Sequence, residues 1–227
     1  MPTDVNLMRL MSWLSPAFPV GAYTYSHGLE AAVEEGAIHD RQSAASWIVD
    51  LVGQGGGRAD AVLLAHAWRA VFNNDRAALA AVAEQAEALS PTAELSLETE
   101  AQGQAFLKAV DSAWPTEAVD MLRAVHDGPI AYPVAVGVTA AGHDVPLTEA
   151  AVAYLHAYSA NLISAVVRLV PLGQTDGLIL TKGLEPLLPQ VAAVALATPL
   201  QDLSTTTFMA DIKSMQHETQ RTRLFRS

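Results

Sequence analysis

Leu147-Thr-Glu-Ala-Ala-Val-Ala-Tyr-Leu-His-Ala-Tyr-Ser-Ala-Asn-Leu-Ile-Ser-Ala-Val-Val-Arg-Leu-Val170 decides the fold class. Leu147, Ala151, Tyr154, Leu155, Tyr158, Leu162, Val166 and Leu169 recur at intervals of mostly three and four, which gathers them on one stripe of a helix. Asp144 and Pro146 mark its start, and Pro171 and Gly173 its stop. This is the core helix around which the rest of the chain is read.

Working outward, Tyr132–Ala141 alternates at Val134, Val136 and Val138 like a strand. A lone strand has no ladder, so a buried helix is the better reading. Ala77–Leu89, Thr92–Val110 and Thr116–Val125 are amphipathic segments punctuated by Ser90-Pro91 and Trp114-Pro115. Ala59–Phe72 precedes the turn Asn73-Asn74-Asp75, and Asp40 caps a segment carrying Ala44, Ile48, Leu51 and Val52 as far as the glycines at 53 to 57. Asn6–Leu14 places Leu7, Leu10, Met11 and Leu14 on one stripe. Tyr23–Glu35 reads as one helix, with Tyr25, Leu29 and Val33 opposite Tyr23, His27, Glu30 and Glu34. A further helix follows Thr175-Asp176, and Pro186 and Pro189 break the chain before Val191–Ala197. The expected architecture is all-α: one helical-bundle domain of about ten helices over residues 1–210, with a flexible C-terminal tail over 211–227.

Composition agrees. Of 227 residues 51% are hydrophobic and only 6% aromatic, with Ala and Leu, the strongest helix formers, abundant. The net charge of −11 argues against a nucleic-acid binder. Residues 211–227 differ, since Lys213, Arg221, Arg223 and Arg226 against Asp211 and Glu218 leave +2, a tail suited to an acidic contact. The absence of cysteine removes disulfides, thiolate nucleophiles and the usual structural zinc sites, and it suits the cytoplasm. Asp4 and Arg9 argue against a secretory leader. Arg168 and the prolines interrupt the apolar runs, so no membrane span is expected.

Catalytic patterns fail at particular positions. His217-Glu218 begins like a zinc-protease helix, but Arg221 stands where the second histidine belongs. Thr24-Tyr25-Ser26-His27-Gly28 lacks the first glycine of a nucleophile elbow. Arg58-Ala59 after the glycine run lacks the Lys-Ser/Thr pair of a phosphate-binding loop. No catalytic residue, cofactor or resident metal is assigned. A helical metal-dependent hydrolase using His27, Glu30 and His217 is the alternative reading, and His27 and His217 are the two imidazoles that merit testing as transient nickel contacts.

Three separated stretches carry a resemblance: Ser15-Pro-Ala-Phe-Pro-Val-Gly-Ala-Tyr-Thr-Tyr-Ser-His-Gly-Leu-Glu30, Asn161 to Gly177, and Asp211 to Ser227. Together they resemble the urease accessory protein UreF family. The resemblance implies a cytoplasmic, all-helical nickel-insertion chaperone that forms a homodimer and supplies no chemistry of its own. It also implies two partners, a UreD/UreH-like scaffold and a UreG-like GTPase, through which nickel reaches apo-urease. The residues expected to face partners are Tyr23, Tyr25, His27, Glu30, Arg168, Gln174, Asp176, Arg221, Arg223, Leu224, Phe225 and Arg226. Leu224 and Phe225 are apolar anchors among arginines. Gln174 and Asp176 would face the GTPase as well as serving a helix start. Glu30 and Arg168 are expected to pair across a helix contact, and Gly28, taken as mid-helix, is expected to admit a closely passing helix.

Overall fold

The computed structural model describes residues 4–226, and among them every regular element is helical. Twelve α-helices follow in order: α1 Asp4–Trp13, α2 Leu29–Glu34, α3 Arg41–Gln54, α4 Gly56–Phe72, α5 Arg76–Ala88, α6 Ala93–Ala113, α7 Glu117–Val125, α8 Tyr132–Gly142, α9 Leu147–Leu169, α10 Gln174–Leu184, α11 Leu187–Ala197 and α12 Phe208–His217. Asp40, Asp75, Thr92 and Thr116 accept hydrogen bonds from the first turns of α3, α5, α6 and α7, so four starts are set by local capping chemistry.

The centre is built from α4, α8 and α9. The ambiguous valine-rich stretch is indeed a helix, buried without interruption from Pro133 to Ala141. It approaches α4 closely because Gly137 has no side chain: a Cβ there would lie 2.5 Å from the Leu64 carbonyl oxygen. Gly137→Ala is therefore expected to destabilise by about 1–3 kcal/mol in urea titrations. Gly183→Ala in α10, where a Cβ would meet nothing within 4 Å, is the contrasting control and should be neutral or stabilising.

The α9 helix has the length and apolarity of a membrane span, with mean hydropathy 1.4 over an 18-residue window, contrary to the expectation drawn from Arg168 and the prolines. Here it serves as the core helix, burying Tyr154, Leu155, Tyr158, Leu162 and Val166.

Local expectations are corrected at several points. Tyr23–Glu35 is not one helix: a 3-10 turn at Ala22–Thr24 gives way to extended Tyr25, then to left-handed His27 (φ 53°) and Gly28 (φ 76°), before α2 begins. Positive φ at two consecutive residues cannot continue a right-handed helix. The glycine run does break the helix, as its composition suggests, but over a single residue. Only Gly55 stands between α3 and α4, and Gly56 lies against Tyr158, whose hydroxyl would be 2.8 Å from an added Cβ. The buried stripe of α1 is Asn6, Leu10 and Trp13, leaving Leu7 and Met11 exposed. Pro189 lies inside α11, where first-turn amides need no intrahelical acceptor.

The C-terminal segment, expected as a flexible tail, is packed. Residues 210 and 211 both fall within α12, which lies on α2 and α6, and the chain after it docks back onto residues 24–30. Ser227 lies outside the described residues.

Candidate functional site

Two groups of residues stand out, and both begin at the turn preceding α2. The first is an anchor for the C-terminus. Gly28 lets α12 pass directly over this turn, since a Cβ there would lie 2.7 Å from the Ser214 amide nitrogen. The close approach expected at Gly28 is real, while its place in the chain is a left-handed helix start rather than mid-helix. Two residues on, Glu30 is buried at 8% exposure and accepts from the amides of Leu224 (2.7 Å) and Phe225 (2.9 Å), with His217 Nε2 at 3.1 Å. His217, fully buried, reaches Glu94 with its Nδ1 at 2.7 Å, and Arg223 donates to the other oxygen of Glu94 at 2.6 Å. Both imidazole nitrogens thus face carboxylate oxygens.

Around this anchor the Arg226 amide donates to the Thr24 carbonyl at 2.8 Å, and the Glu218 carboxylate accepts from the Ala93 amide at the start of α6. The expected Glu30–Arg168 pair does not form. Arg168 donates to the Ser164 and Tyr23 carbonyls and lies 4.3 Å from the centre of the buried Phe225 ring, a cation–π contact. Two backbone amides of the tail occupy the Glu30 carboxylate in place of the guanidinium and hold Leu224 and Phe225 in register.

Of the other residues expected at this surface, Tyr25 is buried, whereas Tyr23, Arg221, Arg223, Leu224 and Arg226 are exposed. Gln174 and Asp176 belong to a different face. Asp176 pairs with Arg41 of α3 at 2.8 Å and accepts from the Gly173 amide at 3.3 Å, so it completes the start of α10 from the third helical position. His27 is separated from Glu30 and His217, its Nε2 lying 3.0 Å from Glu98. The trio required by the hydrolase alternative is thereby split between two clusters.

The feature that the sequence reading missed is α12. It buries Ala210, Lys213, Ser214 and His217, while Phe208, Met209, Ile212 and Met215 are 69%, 58%, 43% and 49% exposed. Its polar stripe faces inward, held by Lys213 with Glu35, Ser214 with Thr92 at 2.9 Å, and His217 with Glu30 and Glu94. Its apolar stripe faces outward. The spacing 208, 212, 215 was available in the sequence, but periodicity marks an apolar face without saying which side of it the core lies on.

The second group lines a cavity of about 270 Å³ whose walls include residues of α4, α6, α9 and α12. His27 meets Glu98, which also accepts from Gln102 at 2.8 Å, and Asp60 accepts from the Tyr154 hydroxyl at 2.8 Å. Burial raises Asp60 to about 7, although the Tyr154 hydrogen bond and the charge of His27 oppose it. Burial lowers His27, but the charge and hydrogen bond of Glu98, with Asp60 beyond, outweigh it and leave the imidazole above its ordinary value.

With this geometry in place, comparison with known proteins identifies relatives. The UreF family model matches residues 38–185. A urease accessory protein UreF of Xanthobacter autotrophicus is 51% identical over 226 residues, spanning 98% of this chain and 92% of the relative. One from Azorhizobium caulinodans is 52% identical over 225 residues, spanning 98% and 96%, and one from Rhodopseudomonas palustris is 50% identical over 224 residues, spanning 99% and 92%.

Proposed function

The chain belongs to the UreF family of urease accessory proteins, and from that premise we propose that it is a non-catalytic docking protein that matures the nickel centre of urease. It joins a UreD/UreH-like scaffold to a UreG-like GTPase, acts as a homodimer in the cytoplasm, and contributes to GTP-dependent delivery of nickel to apo-urease. The observation that supports this best is the inverted amphipathicity of α12. Phe208, Met209, Ile212 and Met215 form an outward apolar stripe on a helix fixed by its polar side, with exposed Leu224 following on the same docked C-terminal segment. Contiguous apolar surface rimmed by charge is characteristic of protein docking. The same C-terminal segment exposes Arg221, Arg223 and Arg226, cationic groups on an otherwise acidic chain, suited to an acidic partner.

Co-expression with UreD/UreH-like and UreG-like proteins, followed by size-exclusion chromatography, tests this. A stable ternary complex is expected. Ile212→Asp should lose the scaffold partner while leaving the helical circular dichroism and melting temperature within a few degrees of wild type, because the side chain already faces solvent. Unchanged co-elution of that variant would remove α12 from the docking surface, and failure of the wild-type chain to form any complex would reject the bridging role. Deleting residues 219–227 should abolish scaffold binding and lower the melting temperature, because it removes buried Phe225 and the amides that Glu30 accepts from, while the helices before it keep their circular dichroism.

A further inference from the structure

The docking role does not call on the interior of this cavity, although Ala210 and Asp211 on the inner side of α12 line it. Asp60, Glu98 and Asp211 line it, and neither lysine nor arginine does. His27 compensates Glu98, whereas Asp60 and Asp211 face no cation at salt-bridge distance among the described residues. Tyr23, Tyr132, Tyr154 and Tyr158 supply aromatic wall, and Leu51, Ala59 and Leu63 apolar wall.

One polar atom is left over. Among the described residues the Tyr158 hydroxyl is buried without a hydrogen-bond partner, on a residue that is 9% exposed and lies within the electrostatic reach of all three carboxyls. Native proteins rarely leave such a group unpaired, because its desolvation costs about 1–3 kcal/mol. An occupant bearing N–H donors would satisfy it together with the carboxyls.

We propose that this cavity is a binding site for a small organic cation, a primary alkylammonium, whose charged head meets Asp60 and the Tyr158 hydroxyl and whose alkyl part lies against the apolar wall. The tyrosine faces add cation–π attraction that a neutral ligand of the same shape would not receive. A bare divalent ion fits less well, since among the described residues no three histidine, aspartate or glutamate groups converge at metal-holding geometry. The volume is that of a small molecule. Binding a cation ionises Asp60, so affinity rises with pH across the range in which that carboxyl titrates.

The test is titration of the full-length protein with n-butylammonium chloride, followed by amide chemical shifts, against sodium chloride at equal ionic strength, 1-butanol and nickel chloride. Saturable shifts at His27, Asp60 and Tyr158 are expected, tighter at pH 8 than at pH 6. Asp60→Asn should weaken binding about tenfold, and Tyr158→Phe, which keeps the ring, several-fold with little change in melting temperature. Absence of saturation, equal binding by Asp60→Asn, or equal shifts with 1-butanol would each overturn the proposal. Displacement of n-butylammonium by equimolar nickel chloride would overturn it in favour of a metal pocket.

Discussion

Glu30→Ala is expected to destabilise the protein by about 3–5 kcal/mol, the usual cost of removing one partner from a buried charged set. In a chain of this size each kcal/mol moves the melting temperature by about 2–4 °C, so a fall of roughly 10 °C is anticipated. The cause is specific. The substitution strips acceptors from the Leu224 and Phe225 amides and leaves His217 with Glu94 alone, so that the C-terminal segment loses its hold on the turn before α2. Limited proteolysis should then cut within residues 218–226 long before the helical core. Glu30→Gln keeps one carbonyl oxygen and should recover part of the loss. A Glu30→Ala protein that melts like wild type with a resistant C-terminus would show that Phe225 packing, not the carboxylate, fixes this segment.

Asp60→Asn is expected to stabilise the protein at pH 8 and to make no difference near pH 4. Asp60 holds its proton in the fold up to about 7 but releases it near its ordinary value of 3.8 when unfolded. Between those values the native state binds more protons than the unfolded one, so stability falls as pH rises. One pKa unit corresponds to about 1.4 kcal/mol, which makes the full effect about 4 kcal/mol; water admitted to the cavity reduces it to about 2–4 kcal/mol. His27 acts in the same direction at higher pH. Its raised value means stability fully present below about 6.5 and lost as pH climbs through its folded value. Urea titrations at pH 4, 6 and 8 on both proteins check the sign: a variant advantage that shrinks as pH rises would mean that Asp60 is ionised in the native state throughout.

Much of the fold was legible locally. The periods around Leu155, the caps at Asp40 and Asp75, the segment starts at Thr92 and Thr116, and the prolines and glycines flanking α9 place helices close to where they occur. Less of the candidate site was. Glu30, Arg168, Phe225 and Arg226 all sit near one another, yet the Glu30–Arg168 pairing inferred from their charges was replaced by backbone amides that no charge count reveals. Asp60 and Glu98 carried no signal, and Tyr158 only that of a core stripe, because they are single residues on three helices whose shared cavity exists only after those helices pack.

The sequence alone settles the all-helical class and, through three separated motifs, the family, because helix periodicity and capping depend on residues within a few positions of one another. Tertiary structure decides what lies between: the left-handed turn at His27 and Gly28, the inward polar face of α12, and the contact of Glu30 with His217 across 187 positions. Each of these depends on which surfaces meet in space, and no local preference of the chain encodes that.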